Sequence, residues 1–102
     1  MSNIGKKVII RASRAGVFFG KLVNKVDSPA GCEVELENCR RIWYWDGACS
    51  ISQLALEGTK RPQNCKFSVS VPEITIIGVI EIIPVSDQAA KSIESVEVWK
   101  RN

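Results

Sequence analysis

CEVELENCRRIWYWDGACSISQLALEG, residues 32–58, decides the fold class, because strand, turn and helix signals follow one another in it without interruption. In CEVELE, Cys32, Val34 and Leu36 alternate with Glu33, Glu35 and Glu37, which predicts a strand with one apolar and one wet face. After a short break at Asn38, residues 39 to 45 predict a further strand. Its period of two sets Arg41, Trp43 and Trp45 on one face and Arg40, Ile42 and Tyr44 on the other. Asp46-Gly47-Ala48-Cys49 makes a turn of mostly small side chains. Ser50 with Gln53 is a capping box, which predicts a helix from about Ile51 to Glu57 that stops at Gly58.

Working outward toward the N-terminus, KKVIIRA and GVFFGKLVNKV predict a hairpin turning near Ser13 and Gly16, and Asp27 to Gly31 predict the next turn. Toward the C-terminus, TKRPQNC predicts a loop, and KFSVSV a strand with Phe67, Val69 and Val71 on one face. ITIIGVIEII places Ile74, Ile76, Ile80 and Ile82 on one face and Ile77, Val79 and Ile83 on the other, the pattern of a central strand covered on both sides. Pro84 closes that strand, Ser86 caps a short helix through about Ile93, and VEVW predicts a last short strand. The sum is one α+β domain over residues 1–102, mainly an antiparallel sheet of about six strands with two short helices. Helices this short leave a sheet face to be covered by another copy, so a homo-oligomer is expected.

At 102 residues and 45% hydrophobic content, the chain suits a single core. No apolar run approaches the roughly 20 residues of a membrane span, and the first residues lack the apolar core of a signal peptide, so a cytoplasmic location without membrane partners is expected. Cys32, Cys39, Cys49 and Cys65 lack zinc-site spacing and the chain has no histidine, so no metal is expected and the cysteines read as reduced, mostly buried apolar residues. Without histidine, a Walker sequence or a carboxylate cluster, the inventory argues against an enzyme and calls for no cofactor.

A formal charge of +3 permits a phosphate-bearing partner without demanding one. Residues 40 to 53 alternate guanidinium and flat aromatic groups, the side-chain types that grip phosphate and base. Candidate phosphate contacts are Arg14, Arg40 and Arg41; candidate stacking rings are Phe18, Trp43 and Tyr44; candidate polar contacts are Ser50, Ser52 and Gln53. One of the adjacent arginines is also a candidate for an ion pair with Glu35 or Asp46, and the tryptophans for plain packing. The Gly47-Ala48 turn either admits a phosphate to backbone N–H groups or answers a steric need of the strand-to-helix turn.

RRIWYWDGACSISQLALEG, then PQNCKFSVSVPEI, then VIEIIPVSDQAAKSIESVEVW resembles a family of small proteins encoded by bacteriophages and prophages. Within that neighbourhood the chain is similar to anti-Thoeris proteins, oligomeric sponges that bind signals of the cyclic ADP-ribose type, some of which also bind the cyclic oligonucleotides of CBASS immunity. The resemblance implies sequestration of a small signalling nucleotide, without cleavage, in the host bacterial cytoplasm. Aromatic rings and arginines would then grip base and phosphate at a subunit interface. Two rival readings use the same residues: a single-stranded nucleic-acid-binding accessory protein, and a phage protein that engages another protein or belongs to the virion.

Overall fold

In β1 (Lys7–Ala12) every residue from Val8 to Ile10 is buried, so the middle of this strand is covered on both faces, and its hairpin partner β2 (Gly16–Ser28) turns into it through Gly16 at φ 103°. β2 pairs in turn with β3 (Gly31–Tyr44), whose Val34 and Leu36 are buried as the alternation requires. β5 (Val71–Pro84) pairs antiparallel with β3 along its first half and with β1 along its second. Four strands therefore close a ring, β1-β2-β3-β5, and β4 (Lys66–Phe67) hangs on the far end of β3 beside Ile42 and Tyr44. The computed structural model describes residues 3–100.

The ring divides the core in two. Val8, Ile10, Phe18, Leu22, Val34, Leu36 and Ile76 fill its interior. Ile9, Phe19, Ile42 and Phe67 point outward beneath α1 (Ile51–Glu57) and α2 (Asp87–Glu94), where Leu54, Ala55, Ala90 and Ile93 meet them. Complete burial of Ile9 or Leu54 stabilises the fold by roughly 2–3 kcal/mol each. Both helices start on serine: Ser50 accepts from the Gln53 N–H at 3.1 Å and Ser86 from the Ala89 N–H at 3.0 Å. None of the helices among the described residues is long and apolar enough to cross a membrane.

The fold is the expected antiparallel sheet with two helices, and its differences from expectation lie at irregular backbone. Asn38 does not break a strand. At φ 51° it forms a bulge inside one fourteen-residue β3, between the Glu37–Lys21 and Arg40–Phe19 pairs. The bulge lets consecutive Cys39 and Arg40 both be buried, Cys39 within the ring and Arg40 on the helix side. KFSVSV is not one strand: β4 ends at Phe67, where Ser68 accepts the Arg41 N–H on its hydroxyl at 2.7 Å and interrupts the ladder, and Val71 already belongs to β5. VEVW contributes only a parallel bridge of Val98 to Phe67, with the Trp99 N–H donating to the Phe67 carbonyl at 2.9 Å. Five named strands thus stand among the described residues.

The isoleucine faces are also corrected. Gly78 and Ile80 are both skipped in the register, so the side-chain alternation resets twice. Val79 joins Ile74, Ile76 and Ile82 toward the ring interior, while Ile77 and Ile80 are 72% and 54% exposed. β5 is therefore covered on one side only along this stretch.

Candidate functional site

Adjacent Arg40 and Arg41 part company at the surface of β3. The Arg40 guanidinium is buried and donates to the carbonyls of Ser68 at 2.9 Å, Ile93 at 3.0 Å and Phe67 at 3.4 Å. Ile93 lies in the last turn of α2, where the carbonyls carry the negative end of the helix dipole and favour a cation. Burial lowers the pKa of this guanidinium from its ordinary value. The expected phosphate contact and the expected carboxylate pair are both corrected: Arg40 ties β3 to α2 and β4 through backbone oxygen.

Arg41 points the other way. Its guanidinium lies over the Phe18 ring, 4.7 Å from the centroid, and donates to the Ala15 carbonyl at 3.1 Å. No carboxylate pairs with it among the described residues, and it remains exposed. The expectation for Phe18 is corrected by the same geometry. Its ring is buried in the ring interior and can offer a base no face, so it serves as the seat of the guanidinium.

Arg41, Ile42, Trp43 and Trp45 line a shallow depression of about 280 Å³ with Ala15, Gly16 and Val17, so residues of both alternation sets of β3 and its continuation meet there. Trp43 is 68% exposed, whereas Trp45 packs partly against the helix-side core. Arg14 stands exposed in the β1–β2 turn, next in sequence to the carbonyl that Arg41 holds, and has no ion-pair partner among the described residues. Arg11, three positions earlier, is instead paired with Glu81 across β1 and β5.

The polar candidates do not reach this depression. Ser50 and Gln53 are engaged in capping, Gln53 also accepting the Cys49 N–H at 2.6 Å, and Ser52 is exposed on α1. The Gly47 turn is closed to a phosphate. A Cβ there would lie 2.6 Å from the Arg61 nitrogen and 2.7 Å from Lys60 nitrogen and Thr59 Oγ1, so the loop after α1 already fills the space. Asp46 holds that loop, accepting from Asn64 Nδ2 at 3.0 Å and the Gly47 N–H at 2.7 Å, and these bonds, with Arg61 nearby, keep its carboxyl below the usual range. The steric reading of the turn is the one observed.

Tyr44 belongs to a second surface that the sequence reading missed. It faces Lys66 across β3 and β4, and Lys66 Nζ lies 5.2 Å from the centroid of the Trp99 ring. Trp99 is 53% exposed and sits more than fifty positions away in sequence, so no local pattern joins it to Tyr44. A sequence cue existed only in the VEVW strand expectation, which pairs the tail with a neighbour.

None of the four cysteines is in a disulfide: Cys39 and Cys65 are buried, Cys32 is half-buried and Cys49 exposed. Burial pushes the Cys39 thiol up to about 11, which makes it inert rather than nucleophilic. Among the described residues no three metal-ligating side chains come together.

No curated protein and no solved structure matches the chain. A family model does, over residues 5–93, and its description is a domain of unknown function (DUF6948). That span holds the whole strand ring and nearly all of α2, and the chain belongs to this family.

Proposed function

We infer that this domain is a binding protein without catalysis, which takes a nucleotide at the depression between Arg41 and Trp43. The observation that carries this reading is an exposed indole beside a guanidinium that is seated on Phe18 and neutralised by no carboxylate among the described residues. Such a pair offers a base a flat apolar face and a phosphate two N–H donors, and the Phe18 seat fixes the donor before the ligand arrives. Arg14 in the neighbouring turn adds a second cation.

A depression of about 280 Å³ is small for a whole nucleotide, and a second copy would complete it. Exposed Ile77, Ile80 and Leu56 are the kind of residue a homo-oligomer covers. The resemblance to anti-Thoeris sponges supplies the candidate ligand: a cyclic ADP-ribose-type signal or a cyclic oligonucleotide, sequestered intact in a host bacterial cytoplasm. No cofactor enters this reading.

The test is calorimetric titration with cyclic ADP-ribose isomers and cyclic di- and trinucleotides, followed by heat denaturation and analysis of the released compound. Tight binding with intact ligand recovered supports the reading; altered ligand makes the protein an enzyme; silence across the panel removes the nucleotide. The additional exposed rings of Tyr44 and Trp99 favour one further reading, a single-stranded nucleic acid, whose mark is strongly salt-dependent binding to oligonucleotides of arbitrary sequence.

A further inference from the structure

Away from the Arg41 depression, residues 95–99 and the turn at Pro62 line an open cavity of about 440 Å³. Its walls include the Trp99 ring and the apolar surfaces of Pro62 and Val98. Its polar groups are Gln63, Ser95 and Glu97, and among the described residues Glu97 is the one charged residue that lines it. Gln63 and Glu97 are exposed and have no side-chain hydrogen-bond or ion-pair partner among the described residues. Lys66 is not part of the lining. It stands beside the lining, with its Nζ 5.2 Å from the centroid of the Trp99 ring.

These groups define an occupant by its chemistry. A flat ring is required to use Trp99. Adjacent N–H donors are required to use a carboxylate that only accepts, and one more polar edge to use an amide. Two common groups meet the first two conditions, the guanine base through its ring N–H and exocyclic amine, and the guanidinium of an arginine. The Lys66 ammonium, 5.2 Å from the same ring, separates them: it repels a cationic head and attracts a phosphate attached to a neutral base. Adenine presents no such pair of adjacent donors toward a carboxylate.

We propose that the Trp99–Glu97–Gln63 cavity is a guanine-nucleotide site, with Trp99 stacking on the base, the Glu97 carboxylate accepting its two adjacent N–H groups, and Lys66 meeting the phosphate. The site is separate from the Arg41 depression and stands whether or not that depression binds a ligand.

The experiment titrates GMP, AMP, guanosine and an arginine-containing peptide into the full chain carrying Arg41→Ala and Trp43→Ala, so that the other surface contributes nothing. GMP is expected to bind roughly tenfold or more tightly than AMP, and Glu97→Gln, an exposed and nearly isosteric change, is expected to erase that preference. Lys66→Ala is expected to weaken GMP while leaving guanosine unchanged. Equal affinity for GMP and AMP, a preference that survives Glu97→Gln, binding of the arginine peptide in place of GMP, or no binding of either each overturns the proposal. Far-ultraviolet circular dichroism of each variant confirms that the fold is kept.

Discussion

The Arg41 guanidinium rests 4.7 Å from the centroid of Phe18, the residue directly opposite it on β2, so a buried ring positions an exposed cation. Replacing Arg41 by Ala is expected to weaken nucleotide binding by roughly tenfold or more while leaving the fold intact, since a half-free surface contact contributes little to stability. Calorimetry of the variant beside its thermal melt reads both quantities; a lost fold with unchanged affinity per folded molecule would assign Arg41 to structure alone.

Arg40 is expected to behave in the opposite way. Arg40→Ala removes the guanidinium that ties the carbonyls of Ser68, Ile93 and Phe67 together, leaving Phe67 with the Trp99 N–H and Ile93 with the Val96 N–H, and should cost about 2–4 kcal/mol in urea denaturation, with the affinity of the surviving folded protein unchanged. Arg40→Lys should recover only part of that loss, because one ammonium cannot span carbonyls on two separate elements.

Trp43→Ala tests the stacking half of the depression. With the side chain 68% exposed, the change should leave the melting temperature within error and cost about 1–3 kcal/mol of base binding. An unchanged affinity would remove Trp43 from the site.

Gly58 ends α1 at φ 77°, and a Cβ there would lie 2.4 Å from the Ser92 Cβ of α2. Gly58→Ala therefore combines a left-handed backbone with a helix-to-helix clash and should destabilise by about 2 kcal/mol or more. Chemical denaturation with an unchanged midpoint would show that the two helices can separate without loss.

Thiol labelling should divide the cysteines. At pH 8 a thiol at about 11 is ionised in about one molecule in a thousand, so Cys39 should resist alkylation while exposed Cys49 reacts within minutes. The sign for stability follows from the same raised value. The unfolded thiol ionises first, so this residue's contribution is full below the ordinary thiol range and falls as pH rises toward about 11. Cys39→Ala should flatten that alkaline loss of stability.

Much of the fold was legible because regular alternation dominates it. Val34 and Leu36 against three glutamates fix a strand, and Ser50, Gln53 and Gly58 mark both ends of a helix. What escaped was irregular backbone: a bulge at Asn38 has no side-chain signature, and the paired slips at Gly78 and Ile80 invert an alternation that otherwise reads cleanly. The site was legible to the same degree. The clustering of Arg41 and Trp43 follows from their closeness in the sequence, whereas the packing of Trp45 on the helix side and the burial of Arg40 and Phe18 depend on which strands close the ring, and the approach of Lys66 to Trp99 depends on where the chain returns.

β5 pairs with β1 at one end and β3 at the other, so the ring has no complete perimeter until residues 71–84 are present. A growing chain that has reached only the β4 region holds the β1-β2-β3 meander with an unpaired flank on β1 and on β3, and Ile76 and Val79 are still missing from the interior. Folding therefore has to bring together segments some seventy positions apart, such as Val8 and Pro84, before the largest share of burial is gained. Assembly is therefore expected to be slow for a domain of this length and to wait on β5, and a truncation ahead of that strand is expected to leave an aggregation-prone sheet edge rather than a smaller stable protein.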